Sequence, residues 1–183
     1  MKKYFIIMIA SILITGCDNG QKVESDQTRE TLTKNEVPAT KKWGDSSLFE
    51  KSQKIIFNND FNSLNKNMIV VTDVSSSHLT AQSETTDPII TFPELSILQG
   101  KEYIFRINIT SSVNSELQLF FSVLGNTGYP FSEENSVRAP ITAGENEIYI
   151  HLSNKNLDKF LRLDPISIIG SFTISNITIK EID

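Results

Sequence analysis

From Lys54 onward, apolar and polar residues alternate with a period of two. Tyr103, Phe105, Ile107 and Ile109 interleave with Glu102, Ile104, Arg106 and Asn108, and Leu117, Leu119, Phe121 and Val123 interleave with Gln118, Phe120, Ser122 and Leu124. Successive side chains of a strand point to opposite faces, so this spacing predicts strands with one face buried. Shorter runs of the same kind lie at 54–57, 67–74, 78–82, 88–92, 137–141, 147–152 and 171–182, with Gly100, Asn126 and Gly128, Gly144 and Asp164-Pro165 as turn residues between them. Residues 156–160 alone have helical spacing and read as a single turn. Many short strands at loop spacing predict an all-β, antiparallel sandwich or barrel.

The final run breaks the alternation. Phe172 and Ile174 share one parity, and Ile177 and Ile179 share the other. One extra residue at Ser175-Asn176 returns all four to one face, so a β-bulge is expected there.

The first residues follow a different plan. Lys2 and Lys3 precede an apolar run from Tyr4 to Ile14, and Thr15-Gly16 supply the small residues of a cleavage site. The run is too short to span a bilayer, which takes about 20 residues. With Leu13-Ile14-Thr15-Gly16-Cys17 it resembles the lipobox of bacterial lipoproteins. That resemblance implies cleavage before Cys17, a diacylglyceryl group on its sulfur and acylation of the new amino terminus. Asp18 is similar to the signal that retains enterobacterial lipoproteins in the inner membrane, on its periplasmic side. Two or three acyl chains hold a protein essentially permanently, so the lipid bilayer itself is an expected partner. Residues 18–45 are polar, contain Pro38 and have no sustained apolar period, which predicts a flexible linker. The expected organisation is therefore a signal peptide over 1–16, a lipidated cysteine and linker over 17–45 and a β domain over 46–183. Trp43 is expected to pack on the edge of that domain.

Composition narrows the function. The chain carries 17 basic and 22 acidic residues, and loss of Lys2 and Lys3 with the signal leaves 15 against 22. An acidic protein is poorly suited to nucleic acid. Cys17 is the sole cysteine, so no disulfide forms within the chain and the core alone holds the fold. Thiol chemistry, a nucleophile elbow and a phosphate loop are missing, and His78 and His151 are too few for a histidine-rich metal site.

The order Asp87-Pro88-Ile89-Ile90-Thr91-Phe92-Pro93, Tyr103-Ile104-Phe105, Leu117-Gln118-Leu119-Phe120-Phe121, Gly144-Glu145-Asn146 and Leu161-Arg162-Leu163-Asp164-Pro165 resembles the jelly-roll modules of the galactose-binding-like and carbohydrate-binding-module superfamily. The resemblance implies a jelly-roll sandwich and a glycan ligand, or else a docking role with another envelope protein. A sugar offers an apolar face to an aromatic and hydroxyls to planar polar groups. The candidate ligand-binding residues are accordingly Arg106, Phe120, Tyr129, Tyr149, His151, Arg162 and Asp164. The alternative places Phe120 and Tyr149 under a covering loop and the charges on a solvated face. Arg162 and Asp164 are expected to form an ion pair rather than part of a structural calcium site, because no dense run of oxygen ligands surrounds them. No cofactor is expected. A glycosidase needs two placed carboxylates, for which Glu133, Glu134 and Asp164 are the candidates.

Overall fold

A computed structural model describes residues 40–126 and 129–182. It contains β1 (Lys41–Trp43), α1 (Ser47–Lys51), β2 (Lys54–Asn58), β3 (Asn65–Asn67), β4 (Ile69–Val74), β5 (Leu79–Ser83), β6 (Ile89–Thr91), β7 (Glu102–Ser111), β8 (Ser115–Val123), β9 (Ser136–Ile141), β10 (Gly144–Leu152), β11 (Leu157–Asp164) and β12 (Gly170–Ile182), with one 3-10 turn at Glu133–Asn135. A seven-stranded sheet runs β1-β10-β7-β12-β5-β4, with β2 also paired to β12, and a five-stranded sheet runs β3-β6-β11-β8-β9. The fold is the expected β-sandwich of jelly-roll type. Every pairing is antiparallel except that of β1 with β10.

The core lies between the sheets and is built from the alternating positions. Tyr103, Phe105, Ile107 and Ile109 of β7 and Ile148, Ile150 and Leu152 of β10 meet Leu117, Leu119 and Phe121 of β8 and Leu161 and Leu163 of β11. The bulge expected in the last strand is present: Ile174 pairs with Ile109 and Asn176 with Asn108, leaving Ser175 as the extra residue. Phe172, Ile174, Ile177 and Ile179 are all buried as a result.

Two expectations are corrected. Residues 156–160 are not a helical turn; from Leu157 they belong to β11. Leu157 pairs with Val123 and Leu161 with Phe121, so four steps along β11 match two along β8. That bulge spaces its two inward leucines four apart, as a helix would. The linker expected through residue 45 also ends sooner. Lys41 to Trp43 pair with Asn146 to Ile148, Thr40 Oγ1 donates to Glu145 Oε2 at 2.9 Å, and Trp43 packs against the core.

The helix α1 follows from the turn at Gly44, whose φ is +84° and where a Cβ would lie 2.1 Å from the Tyr149 carbonyl oxygen. Asp45 then forms an Asx turn ahead of the helix, accepting from the Ser47 N–H at 2.8 Å and its hydroxyl at 2.9 Å. Phe49 is the one buried residue of the helix and sets it down on the outer face of the seven-stranded sheet, against Ile104 and Tyr149.

Candidate functional site

The outer face of the five-stranded sheet carries an ordered set of polar and aromatic side chains. Pairing places Thr91, Arg162, Phe120 and Ser136 in one row across β6, β11, β8 and β9, and Asp164, Gln118 and Arg138 in the next. Arg162 stands 4.9 Å over the Phe120 ring, which it shields from water. Its Nε reaches Asp164 Oδ1 and its Nη2 reaches Asp164 Oδ2, each at 2.7 Å, the planar two-point match of guanidinium and carboxylate. The same guanidinium donates to Asp87 and, at 3.3 Å, to the Tyr129 hydroxyl. In the second row the Gln118 amide donates to Glu133 at 2.9 Å and Ser136 at 2.8 Å, while Arg138 bridges Glu116 at 2.6 Å and Glu133 at 2.8 Å.

These groups floor a cleft of about 430 Å³ bounded by Thr86, Ser132 and Ser167. Tyr129 and Phe131 stand on the segment beside it, ring centroids 5.7 Å apart and edge to face. Tyr129 is 64% exposed. Phe131 also borders an apolar hollow of about 270 Å³ with Pro130, Phe92 and Phe160. Hydrogen-bonding groups thus lie beside accessible aromatic surface, the combination a sugar ring requires.

Charge is balanced by pairing. Burial opposes the positive charge of Arg162, yet the Asp164 bonds and charge outweigh it and hold the guanidinium above its ordinary pKa. Burial pushes the Asp164 carboxyl above the usual range, against the pull of Arg162. Hydrogen bonds from Arg138 and then Gln118 hold Glu133 below its ordinary value.

The structure divides the expected site residues between the two sheets. Phe120, Tyr129, Arg162 and Asp164 are brought together at the cleft. Arg106, Tyr149 and His151 lie on the outer face of the other sheet, so the seven candidates fall into two separate groups. There Arg106 donates to Glu147 Oε1 through Nε at 3.1 Å and Nη2 at 2.8 Å, the Tyr149 hydroxyl donates to the same oxygen at 2.8 Å, and Lys42 lies 3.1 Å from Oε2. Phe49 covers this network edge to face with Tyr149 at 5.7 Å, and Lys180 sits 4.0 Å over the Phe49 ring. Burial and the Glu147 bond push the Tyr149 hydroxyl up to about 12. Tyr149 is thus covered, by helix α1 rather than by the loop considered from the sequence. His151 Nε2 lies 2.7 Å from Glu102 Oε2 on a solvated part of the face.

Sequence reasoning missed Asp87, Glu116 and Arg138. Arg138 had a readable signal, since it lies between the inward Val137 and Ala139. Asp87 precedes a proline and reads as a turn; its bond to Arg162 spans 75 positions and leaves no local trace. Cys17 and Asp18 lie outside the described residues.

No family model matches the chain, and no curated protein matches it. The fold is similar to solved structures. The xylan-binding domain CBM22-1 from Paenibacillus barcinonensis Xyn10C matches with a TM-score of 0.53 and 9% identity, over 73% of this chain and 97% of that domain. The second N-terminal cellulose-binding domain of Cellulomonas fimi β-1,4-glucanase C matches with a TM-score of 0.51 and 10% identity, over 71% and 92%. The K3 cleaved adhesin domain of Lys-gingipain from Porphyromonas gingivalis matches with a TM-score of 0.50 and 13% identity, over 68% and 96%. The class defined here is thus a jelly-roll β-sandwich, and identities of 9–13% establish the fold alone.

Proposed function

We propose that this chain is a non-catalytic glycan-binding module held at a bacterial membrane by lipid on Cys17, and that the cleft on the five-stranded sheet is its binding site. The observation that carries the reading is the pairing of exposed Tyr129 and half-buried Phe131 with the polar floor of Arg162, Asp164 and Gln118. The xylan- and cellulose-binding domains that share the fold support a glycan as the ligand class. Asp164 and Glu133 are each held by an arginine, which suits a shaped binding surface better than the unpaired acid and base of a glycosidase. The test is a panel of bacterial envelope polysaccharides offered to the purified full-length protein. Retention on none of them would reject the reading.

A protein-docking role is the alternative, favoured by the edge strand β4, where Val70, Val71 and Val74 are exposed next to Met68. Co-purification of an envelope protein without glycan binding would select it.

The anchor rests on the lipobox resemblance. Cys17→Ser removes lipid labelling and membrane retention on this reading, and labelled lipid persisting in that variant contradicts it. In a host that sorts lipoproteins as enterobacteria do, Asp18→Ser shifts the protein toward the outer membrane.

A further inference from the structure

The hydrogen-bonding capacity of the cleft is divided unevenly. Arg162 turns Nε, Nη1 and Nη2 to Asp164, Tyr129 and Asp87, and Arg138 turns its two terminal nitrogens to Glu116 and Glu133. The Gln118 amide donates to Glu133 and Ser136. The strong donors of the floor are therefore directed at the protein's own oxygens. The acceptors are more numerous, and two of them are more open than Arg138, whose side chain is 44% exposed. The side chains of Asp87, Glu116 and Glu133 are 55%, 42% and 69% exposed. Each carboxylate offers about four lone-pair positions, more than these pairs fill. Four carboxylates, those of Asp87, Glu116, Glu133 and Asp164, stand against two guanidiniums, a formal charge of −2 in one cleft.

We infer that this cleft selects glycans bearing a free amine, such as de-N-acetylated hexosamines, and turns away those bearing uronate or phosphate. The inference rests on the glycan-binding reading above and adds the charge class of the ligand. A protonated amine brings three donors to a region rich in exposed acceptors, while the apolar face of its ring has Tyr129 and Phe131 at the rim to cover it. An anionic sugar meets net negative charge. It reaches Arg162 only by breaking an ion pair, which strands the buried Asp164 carboxylate, and it reaches the half-exposed Arg138 only between Glu116 and Glu133. Like charge brought together in a partly enclosed site is a device for rejecting the wrong ligand as much as for holding the right one.

Titration calorimetry on the full-length protein with matched oligosaccharides tests this: glucosamine and galactosamine oligomers, their N-acetylated forms, and glucuronate and galacturonate oligomers, at mildly acidic pH where the amines are protonated. The expected result is an amine form bound about tenfold tighter than its acetylated counterpart, a ratio that shrinks as salt rises, with no measurable binding of uronates. Glu133→Gln and Asp87→Asn should each lower the amine-to-acetyl ratio. Equal affinity for amine and acetyl forms, a ratio unmoved by both substitutions, or uronate binding at comparable strength overturns the charge selection and leaves glycan binding standing. Failure of every oligosaccharide to bind removes both.

Discussion

Arg162 and Asp164 lie two residues apart on β11 and close on each other through two bonds of 2.7 Å, both side chains largely buried. A strand places residues i and i+2 on one side, so the pair is local in sequence, yet its burial depends on Phe120 and Gln118 of β8. Arg162→Ala leaves a buried carboxylate without its counter-charge and should cost about 3–5 kcal/mol. Arg162→Met combined with Asp164→Leu removes both charges at similar volume and should recover most of that loss. Urea unfolding midpoints at constant slope measure the difference. A double variant as unstable as the single one would show that the charge pair is not the cause.

Ser175 offers a test of the register. Its deletion removes the bulge, so that β12 must either carry Ile177 and Ile179 to the outer face or unpair from β7. Each displaced isoleucine loses about 1.5–3 kcal/mol of burial, enough for the deletion variant to be largely unfolded. A cooperative melt near that of the parent would contradict the register.

Gly44 links the first strand to the helix that covers Arg106 and Tyr149. Gly44→Ala meets both a positive φ and the Tyr149 carbonyl oxygen, and should lower stability by more than about 1 kcal/mol, seen as a fall in Tm. An unchanged Tm would mean that the chain passes this point by another route.

The cluster beneath that helix has a pH signature. Burial alone would raise the Glu147 carboxyl, but the Tyr149 hydroxyl, Lys42 and Arg106 together hold it below its ordinary value. A carboxyl lowered in the folded state stabilises fully above its unfolded pKa of about 4.3, and that contribution disappears as pH falls through the folded value. Stability should therefore drop on the acid side of that range, and Glu147→Gln should be less stable at neutral pH with a shallower acid limb. Parallel pH profiles for the two proteins would refute the assignment.

What the sequence disclosed depended on how far a signal must travel along the chain. The inward rows of β7, β8 and β12 were legible because period two is local, and the bulge at Ser175 was legible because it breaks that period. Residues 156–160 misled for the converse reason: a bulge between Leu157 and Leu161 spaces apolar residues as a helix does. Strand β1 was hidden in a polar stretch, since Lys41 and Lys42 are exposed and only Trp43 meets the core. For the site, the Arg162–Asp164 pair could be foreseen from its spacing. Its convergence with Asp87 and Arg138, and its separation from Arg106 and Tyr149, follow from strand order, which one sequence does not encode locally.

The glycan-binding reading stands or falls at Tyr129. The ring is exposed beside the cleft and its hydroxyl makes one long bond, from Arg162, so its removal should disturb the ligand far more than the fold. Affinity electrophoresis of the full-length protein through gels containing bacterial envelope polysaccharide, run with Tyr129→Ala alongside, is the most direct measurement. The expected result is retardation of the parent by at least one polysaccharide, with affinity about tenfold weaker in Tyr129→Ala and a cooperative unfolding midpoint only slightly lowered by loss of the bond from Arg162. A parent protein retarded by none, or a variant retarded as strongly as the parent, would contradict it.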